Sequence, residues 1–339
     1  MDLHGRGFAM QSRSAGGGLR HMTVLAAGWT MLLRRFLIVI VSWVWALSFM
    51  PSPVQAAGKP DRIIVSGASG QLGQLTIEEL LHRGVDPKNL ILVSRTPDRL
   101  AQYAQRGASV RYGDLYEPNS LAAAYGGGTR MLLISIIPVP GATPRPEAHK
   151  AAFDAAVSAG VKHIVYTSFI VADQKSPSPF GEDHRLSEIA LKASGAKWTV
   201  LRNGYYDDVF VAAAIKMART GRAAMPPDEQ PFAPVTRKDC AAAAAAALLN
   251  PRLSENKTFV ITGSEAWGTR DIAAAVSKMT GKPIEVVEQA GNSDLPPDGA
   301  GGPVTGDFAR LASRSATGLG ASLEANKKQI MDAALERAK

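Results

Sequence analysis

Gly67, Gly70 and Gly73 stand in the pattern G-x-x-G-x-x-G, with Ala68, Ser69, Gln71 and Leu72 between them. Glycine in the first place permits a tight turn, in the second it lets backbone approach a pyrophosphate, and in the third it lets a helix pack closely on a strand. A helix opening at this point adds free N–H groups and its positive dipole end. Downstream, Val93-Ser94-Arg95 offers a hydroxyl and a guanidinium, with Arg99 nearby, where an acid would bind the ribose 2′-hydroxyl of NAD(H). A guanidinium grips a 2′-phosphate in bidentate fashion, so the pattern favours NADP(H) over NAD(H). The alternative for Arg95 is a solvated surface residue. Asp114, in Gly113-Asp114-Leu115, is either a partner for the adenine amine or a turn or helix-capping residue. Ser135 either flanks the cofactor or caps its loop.

A second group of residues has reactive side chains. His184 and Glu188 are spaced i, i+4 and share one helix face. Histidine titrates near neutrality and can donate a proton; the alternative is an exposed ion pair with Arg185 or Lys192 close by. Thr167 and Ser168 end a strand, where their hydroxyls face a substrate or cap the strand. Tyr205 and Tyr206 are either an aromatic wall for a planar substrate or core tyrosines. The helix after the fifth strand carries no Tyr-x-x-x-Lys pair. Cys240, the one cysteine, precedes an alanine-rich helix and reads as a small core residue. No paired-histidine or carboxylate motif suggests a metal.

These residues need elements to hold them. Strands are expected at Arg62–Ser66, Leu90–Ser94, Ser109–Tyr112, Met131–Ile137, His163–Thr167 and Trp198–Leu201, with helices between them. Continuous apolar runs in the strands mean burial on both faces. The fold class is therefore α/β, a Rossmann-type doubly wound parallel sheet. After Gly204 the rhythm changes, and Val209–Arg219, Asp239–Leu249, Phe259–Thr262, Asp271–Met279 and Ile284–Val287 read as a small C-terminal α/β lid over the sheet edge. The domain thus runs from 57 to 290. Residues 291–339 read as a Gly/Pro linker and one charged helix, Leu323–Ala338.

Residues 1–56 read as an extension and not as fold. Arg34-Arg35 precedes the uncharged run Phe36–Met50, and Val54-Gln55-Ala56 follows with small residues at a cleavage site. This describes a secretory signal, with an uncleaved membrane anchor as the alternative; the run is short against the roughly 20 residues a span needs. The expected location is periplasmic or membrane-anchored, or cytoplasmic if a later methionine starts the chain. The formal net charge is +8, but five Arg and one Lys against one Asp fall within the first 59 residues. The remainder is mildly basic, so nucleic-acid binding is not expected.

With these motifs assembled, the chain resembles the NmrA-like atypical short-chain dehydrogenases, and within them the NAD(P)H:quinone oxidoreductase type 2 branch. The likeness rests on Val65–Gly73, Leu132–Ser135, Ala159–Ser168, Glu182–His184, Leu201-Arg-Asn-Gly-Tyr-Tyr206, Thr236-Arg-Lys-Asp239 and Gly263–Trp267. It implies phosphate contacts at Gly67–Leu72, a 2′-phosphate contact at Arg95, and cofactor contacts at Ser135, Ile136, Ile137 and Arg237. Residues from Tyr206 to Val211 would approach the nicotinamide. Members commonly have Glu-Asn after the second tyrosine, where this chain has Asp207-Asp208. Beyond about Gly291 the likeness ends. The implied activity is hydride transfer from NADPH to a quinone or similar small carbonyl acceptor, with His184 and Tyr206 as candidate catalytic residues. The alternative is a non-enzymatic NADP(H)-binding redox sensor that reports to a protein partner. A second copy of the chain is also a candidate partner.

Overall fold

The computed structural model describes residues 61–172, 178–291, 293–296 and 302–336. The export or anchor segment read from the sequence lies outside them. Among the described residues, no helix is long and apolar enough to cross a membrane.

The first half alternates strictly: β1 (Ile63–Ser66), α1 (Gln71–His82), β2 (Leu90–Ser94), α2 (Ala101–Gln105), β3 (Ser109–Tyr112), α3 (Leu121–Tyr125), β4 (Arg130–Leu133), α4 (Arg145–Ser158), β5 (His163–Phe169), α5 (Pro179–Ala193) and β6 (Lys197–Asn203). Then follow α6 (Asp207–Thr220), β7 (Arg222–Met225), α7 (Arg237–Leu249), α8 (Pro251–Ser254), β8 (Lys257–Ile261), α9 (Thr269–Thr280), β9 (Glu285–Glu288), α10 (Asp307–Ala312), α11 (Leu319–Ala325) and α12 (Lys327–Glu336).

Seven strands form one sheet in the order β3-β2-β1-β4-β5-β6-β8, and every neighbour pair is parallel. Strand periodicity divides the core in two. Ile63, Val65, Leu90, Leu92 and Leu132 face α1 and α7, while Ile64, Ile91, Val93, Met131 and Leu133 face α3, α4 and α5. Successive residues of a strand point to opposite faces, so both faces need apolar cover. The chain leaves β1 toward one sheet edge and β4 toward the other. The crevice between their C-terminal ends is therefore a topological switch point, where ligands bind in such sheets.

Two elements assigned to the lid belong to the main sheet. Phe259–Thr262 was expected there, but β8 pairs with β6 in parallel, with Leu201 opposite Phe259. The alanine-rich helix is α7, which covers that sheet face with Ala241–Ala247 all buried. Its small side chains let it lie close to both the sheet and α1. The Thr236 hydroxyl caps it, accepting from the Asp239 N–H at 3.0 Å. What remains as lid is a two-stranded parallel sheet, β7 with β9, packed with α6, α9, α11 and α12 around Phe210, Met217, Ile272 and Ile330. The single terminal helix expected at Leu323–Ala338 is broken at Asn326, whose side-chain amide donates to the Ser322 carbonyl at 2.8 Å. That local bond competes with the helix ladder.

Candidate functional site

At the end of β1 the chain turns at Gly67, whose φ is +89°, a region that costs a side-chain-bearing residue about 1 kcal/mol or more. The Gly67 and Ala68 N–H groups donate to the Val93 carbonyl at 3.0 and 3.1 Å, and the Gly70 N–H to the Gly67 carbonyl at 3.1 Å. A Cβ on Gly73 would stand 2.4 Å from the Gly67 oxygen and 2.8 Å from the Ala68 Cα. Both obstacles are backbone, so no rotamer change relieves them. Helix α1 starts with Gly70 as its cap residue and has no side-chain cap. Its first-turn N–H groups are left for an anion.

Beside this loop, at the end of β2, three hydroxyls meet. Ser69 Oγ lies 2.6 Å from Ser94 Oγ and 3.1 Å from Thr96 Oγ1. Arg95 is exposed next to them, and no carboxylate stands where an NAD(H)-type acid would. Asp114 is a turn residue: its Oδ1 accepts from the Tyr116 N–H at 3.0 Å.

A cavity of about 630 Å³ runs from Gly67 and Gly70–Gly73 past Ile134–Ile137 to the ends of β5 and β6. Strand β4 stops at Leu133, four residues short of the expected Ile137, and the next residues bend along the cavity rim. Their backbone is held by side chains: the Ser135 N–H donates to Thr167 Oγ1 at 2.9 Å, and the Ile136 N–H to His149 Nε2 at 3.2 Å. Hydroxyl and imidazole here replace the missing strand ladder.

The far end of the cavity is aromatic. Phe169 meets Phe180 edge-on at 5.3 Å and Tyr205 at 5.0 Å. Tyr206 lies under the Arg237 guanidinium, 4.0 Å from its carbon, and Arg237 pairs with Asp208 at 2.5 Å. Asn203 also lines this end. It is buried, and among the described residues its Oδ1 has no hydrogen-bond partner. An orphaned buried carbonyl costs about 1–3 kcal/mol, which a ligand N–H recovers.

His184 is 2% exposed and contributes to the wall. Its Nδ1 is 3.0 Å from the Tyr166 hydroxyl. Burial, then the Arg145 charge, then His149 lower its pKa to about 2. The expectation of a proton-donating imidazolium near neutral pH does not fit this environment. The alternative, a helix ion pair with Lys192, is present at 3.4 Å, but its carboxylate is buried and not exposed. Glu188 is buried and takes a bidentate grip from Arg202, 2.9 Å at each oxygen, plus the Ser168 hydroxyl at 2.7 Å. Burial alone would raise its pKa; the hydrogen bonds from Arg202 and Ser168 outweigh it and hold the carboxyl low.

Of the residues read from sequence, the cavity brings together Gly67, Gly70, Gln71, Leu72, Gly73, Ser135, Ile136, Ile137, His184, Tyr206 and Arg237. Ala68 and Ser69 support the loop from behind. Asp207 and Asp208 are turned to other work: Asp207 accepts from the Ser322 hydroxyl at 2.6 Å, tying α6 to α11, and Asp208 holds Arg237. Arg95 and Asp114 stand outside the wall. Cys240 is buried inside α7, with burial pushing its thiol pKa up.

Sequence reading missed Arg145. It opens α4, is 2% exposed, lies over the Phe180 ring at 4.2 Å and pairs with Asp183 at 3.2 Å. A signal existed: a cation at the first residue of a helix opposes the macrodipole. Asn203 and Phe180 were also missed, because only the fold brings β6 and α5 to one wall.

Comparison with known proteins places this geometry. Residues 67–251 match the NAD(P)H-binding family. The chain belongs to that NAD(P)H-binding family. Quinone oxidoreductase 2 of Escherichia coli is 34% identical over 222 residues, covering 66% of this chain and 76% of the relative. The structure of NADPH-dependent quinone oxidoreductase from E. coli, complexed with NADPH, matches with a TM-score of 0.70 at 29% identity over 78% of this chain and 99% of that one. The Citrobacter sp. triphenylmethane reductase complexed with NADP(H) matches at 0.69 and 28% identity, again over 78% and 99%. The motif resemblance and the Rossmann-type sheet therefore agree with the family.

Proposed function

We propose that the chain is an NADPH-dependent oxidoreductase that reduces a quinone or a similar small carbonyl acceptor. One observation carries the reading: a single cavity joins an uncapped glycine-loop helix N-terminus to an aromatic wall. The residues fit the cofactor. Gly67, Gly70 and the start of α1 would hold the pyrophosphate, and Arg95 with the Ser69 and Ser94 hydroxyls the 2′-phosphate. The orphaned Asn203 Oδ1 would accept from the nicotinamide carboxamide, and Tyr206 with Arg237 would close that end. When bound, NADPH supplies the hydride.

The protein's own work is placement. Phe169, Phe180 and Tyr205 hold a planar acceptor and exclude water. Burial and the absence of a Tyr-x-x-x-Lys pair leave proton delivery to solvent at the rim. The relatives named as reductases support this reading over the redox sensor.

The test is NADPH oxidation by the purified full chain with a panel of quinones. We expect quinone-dependent turnover with NADPH preferred over NADH. A cofactor-saturated protein inert to the whole panel overturns the reading.

A further inference from the structure

Resting on that reading, we infer that His184 holds the acceptor's oxygen as a neutral hydrogen-bond donor, in a tautomer fixed by Tyr166 and His149. The proton positions follow from the hydrogen bonds. The Ile136 N–H donates to His149 Nε2 at 3.2 Å, so the one proton of a neutral His149 sits on Nδ1. That N–H points to Ser187 Oγ at 2.9 Å, and Ser187 spends its own proton on the Asp183 carbonyl at 2.8 Å. The Tyr166 oxygen lies 3.3 Å from His149 Nδ1. Ser187 also lies beside the Tyr166 hydroxyl, but its oxygen faces the His149 N–H and its proton goes to Asp183, so we assign the Tyr166 proton to His184 Nδ1 at 3.0 Å. His184 therefore carries its proton on Nε2, away from Tyr166, on a ring that walls the cavity.

The surroundings keep both rings neutral. Burial and then Arg145 bring His149 to about 3, and the same causes act on His184. The carboxylates nearby are engaged elsewhere: Asp183 pairs with Arg145 and Glu188 with Arg202. Phe180 and Phe169 flank the His184 ring at 5.0 and 6.1 Å.

The chain of bonds also ends at the Ile136 amide, whose N–H donates a hydrogen bond but is too weak an acid to transfer its proton. It is thus not a relay, and His184 does not lose its proton. The acceptor would gain a hydride, which carries both electrons, from NADPH, leaving NADP⁺, and the carbonyl π pair would move onto oxygen. The His184 N–H stabilises that oxyanion, and water supplies the proton and leaves hydroxide. A neutral imidazole donor of fixed tautomer serves here because it costs no reorganisation as charge develops.

The test reads tautomers directly, by two-bond ¹H–¹⁵N spectra of the full chain labelled at histidine, with the His184 signal assigned by its loss in His184→Gln. We expect a pyridine-type Nδ1 and a pyrrole-type Nε2, unchanged from pH 5.5 to 8, and a mixed tautomer in Tyr166→Phe. An imidazolium or an Nδ1–H form in that range overturns the proposal. In turnover, His184→Phe should lower kcat about 100-fold with NADPH affinity unchanged. His184→Gln keeps an N–H donor and should recover most of that loss. Equal loss in both variants, or a kcat profile breaking near pH 6.5, overturns the role. Correct spectra and NADPH binding without any quinone turnover would instead bring down the reductase reading beneath it.

Discussion

The two ends of the cavity are built from different materials. At the phosphate end, three glycines and the start of α1 present backbone, and the constraints are steric: a positive φ at Gly67 and a Cβ-sized gap closed at Gly73. At the acceptor end, α4, α5 and the ends of β5 and β6 present side chains, and the constraints are hydrogen bonds and buried charge around Arg145, His149, Tyr166, His184 and Glu188. Backbone recognition suits a ligand part that never varies. A side-chain network can change its acceptor without disturbing the loop.

The comparison is tested most strongly by acid. His149, His163 and His184 have pKa values lowered from 6.5 to about 3, 4 and 2, all mainly by burial. Above pH 6.5 both folded and unfolded chains hold them neutral. Below it the unfolded chain takes up protons that the folded chain refuses, so stability falls as pH falls until those low values are reached. Each histidine costs about 1.4 kcal/mol per pH unit, roughly 4 kcal/mol together, in the steep region near pH 5. Urea unfolding at pH 7, 6 and 5 measures this. A flat profile would mean that these histidines are not held neutral.

Next in size is Gly73→Val, which forces side chain into the Gly67 carbonyl. NADPH affinity should fall more than about 100-fold, about 3 kcal/mol, by fluorescence titration. Retained binding would show that the loop is softer than its geometry. Arg95→Ala separates cofactor choice from the loop itself: NADPH affinity should fall about 10-fold, with NADH affinity unchanged. Equal loss of both would place Arg95 elsewhere. The smallest effect is expected for Asp208→Asn, which loosens Arg237 over Tyr206. It should raise the NADPH KM by about 2- to 5-fold and leave kcat in place.

The phosphate end was legible because its demands are local. A turn, an anion-binding helix start and a close helix–strand contact each need glycine within seven residues, so spacing alone shows them. The acceptor end was legible only in part. His184 and Glu188 share a helix face as their spacing says. Yet β5 and β6 supply Tyr166 and Arg202 as partners from other parts of the chain, and burial removes the titration expected of a surface histidine. Asp207 and Asp208 were read toward the cofactor by resemblance, while α11 and Arg237 claim them. Arg145 carried a helix-dipole signal, but nothing in its neighbourhood names Phe180 as its platform.

By itself the sequence determined the alternation of strands and helices, the two-faced burial of the sheet and the glycine loop, because each follows from periodicity or from backbone freedom over a few residues. Tertiary structure decided that Lys257–Ile261 joins β6 as the seventh strand, that α7 is a sheet-covering helix, and that His184 is buried against Tyr166. Those outcomes depend on which surfaces meet after the chain has closed, and apolar runs of equal period fit a lid or a sheet edge equally well until it does.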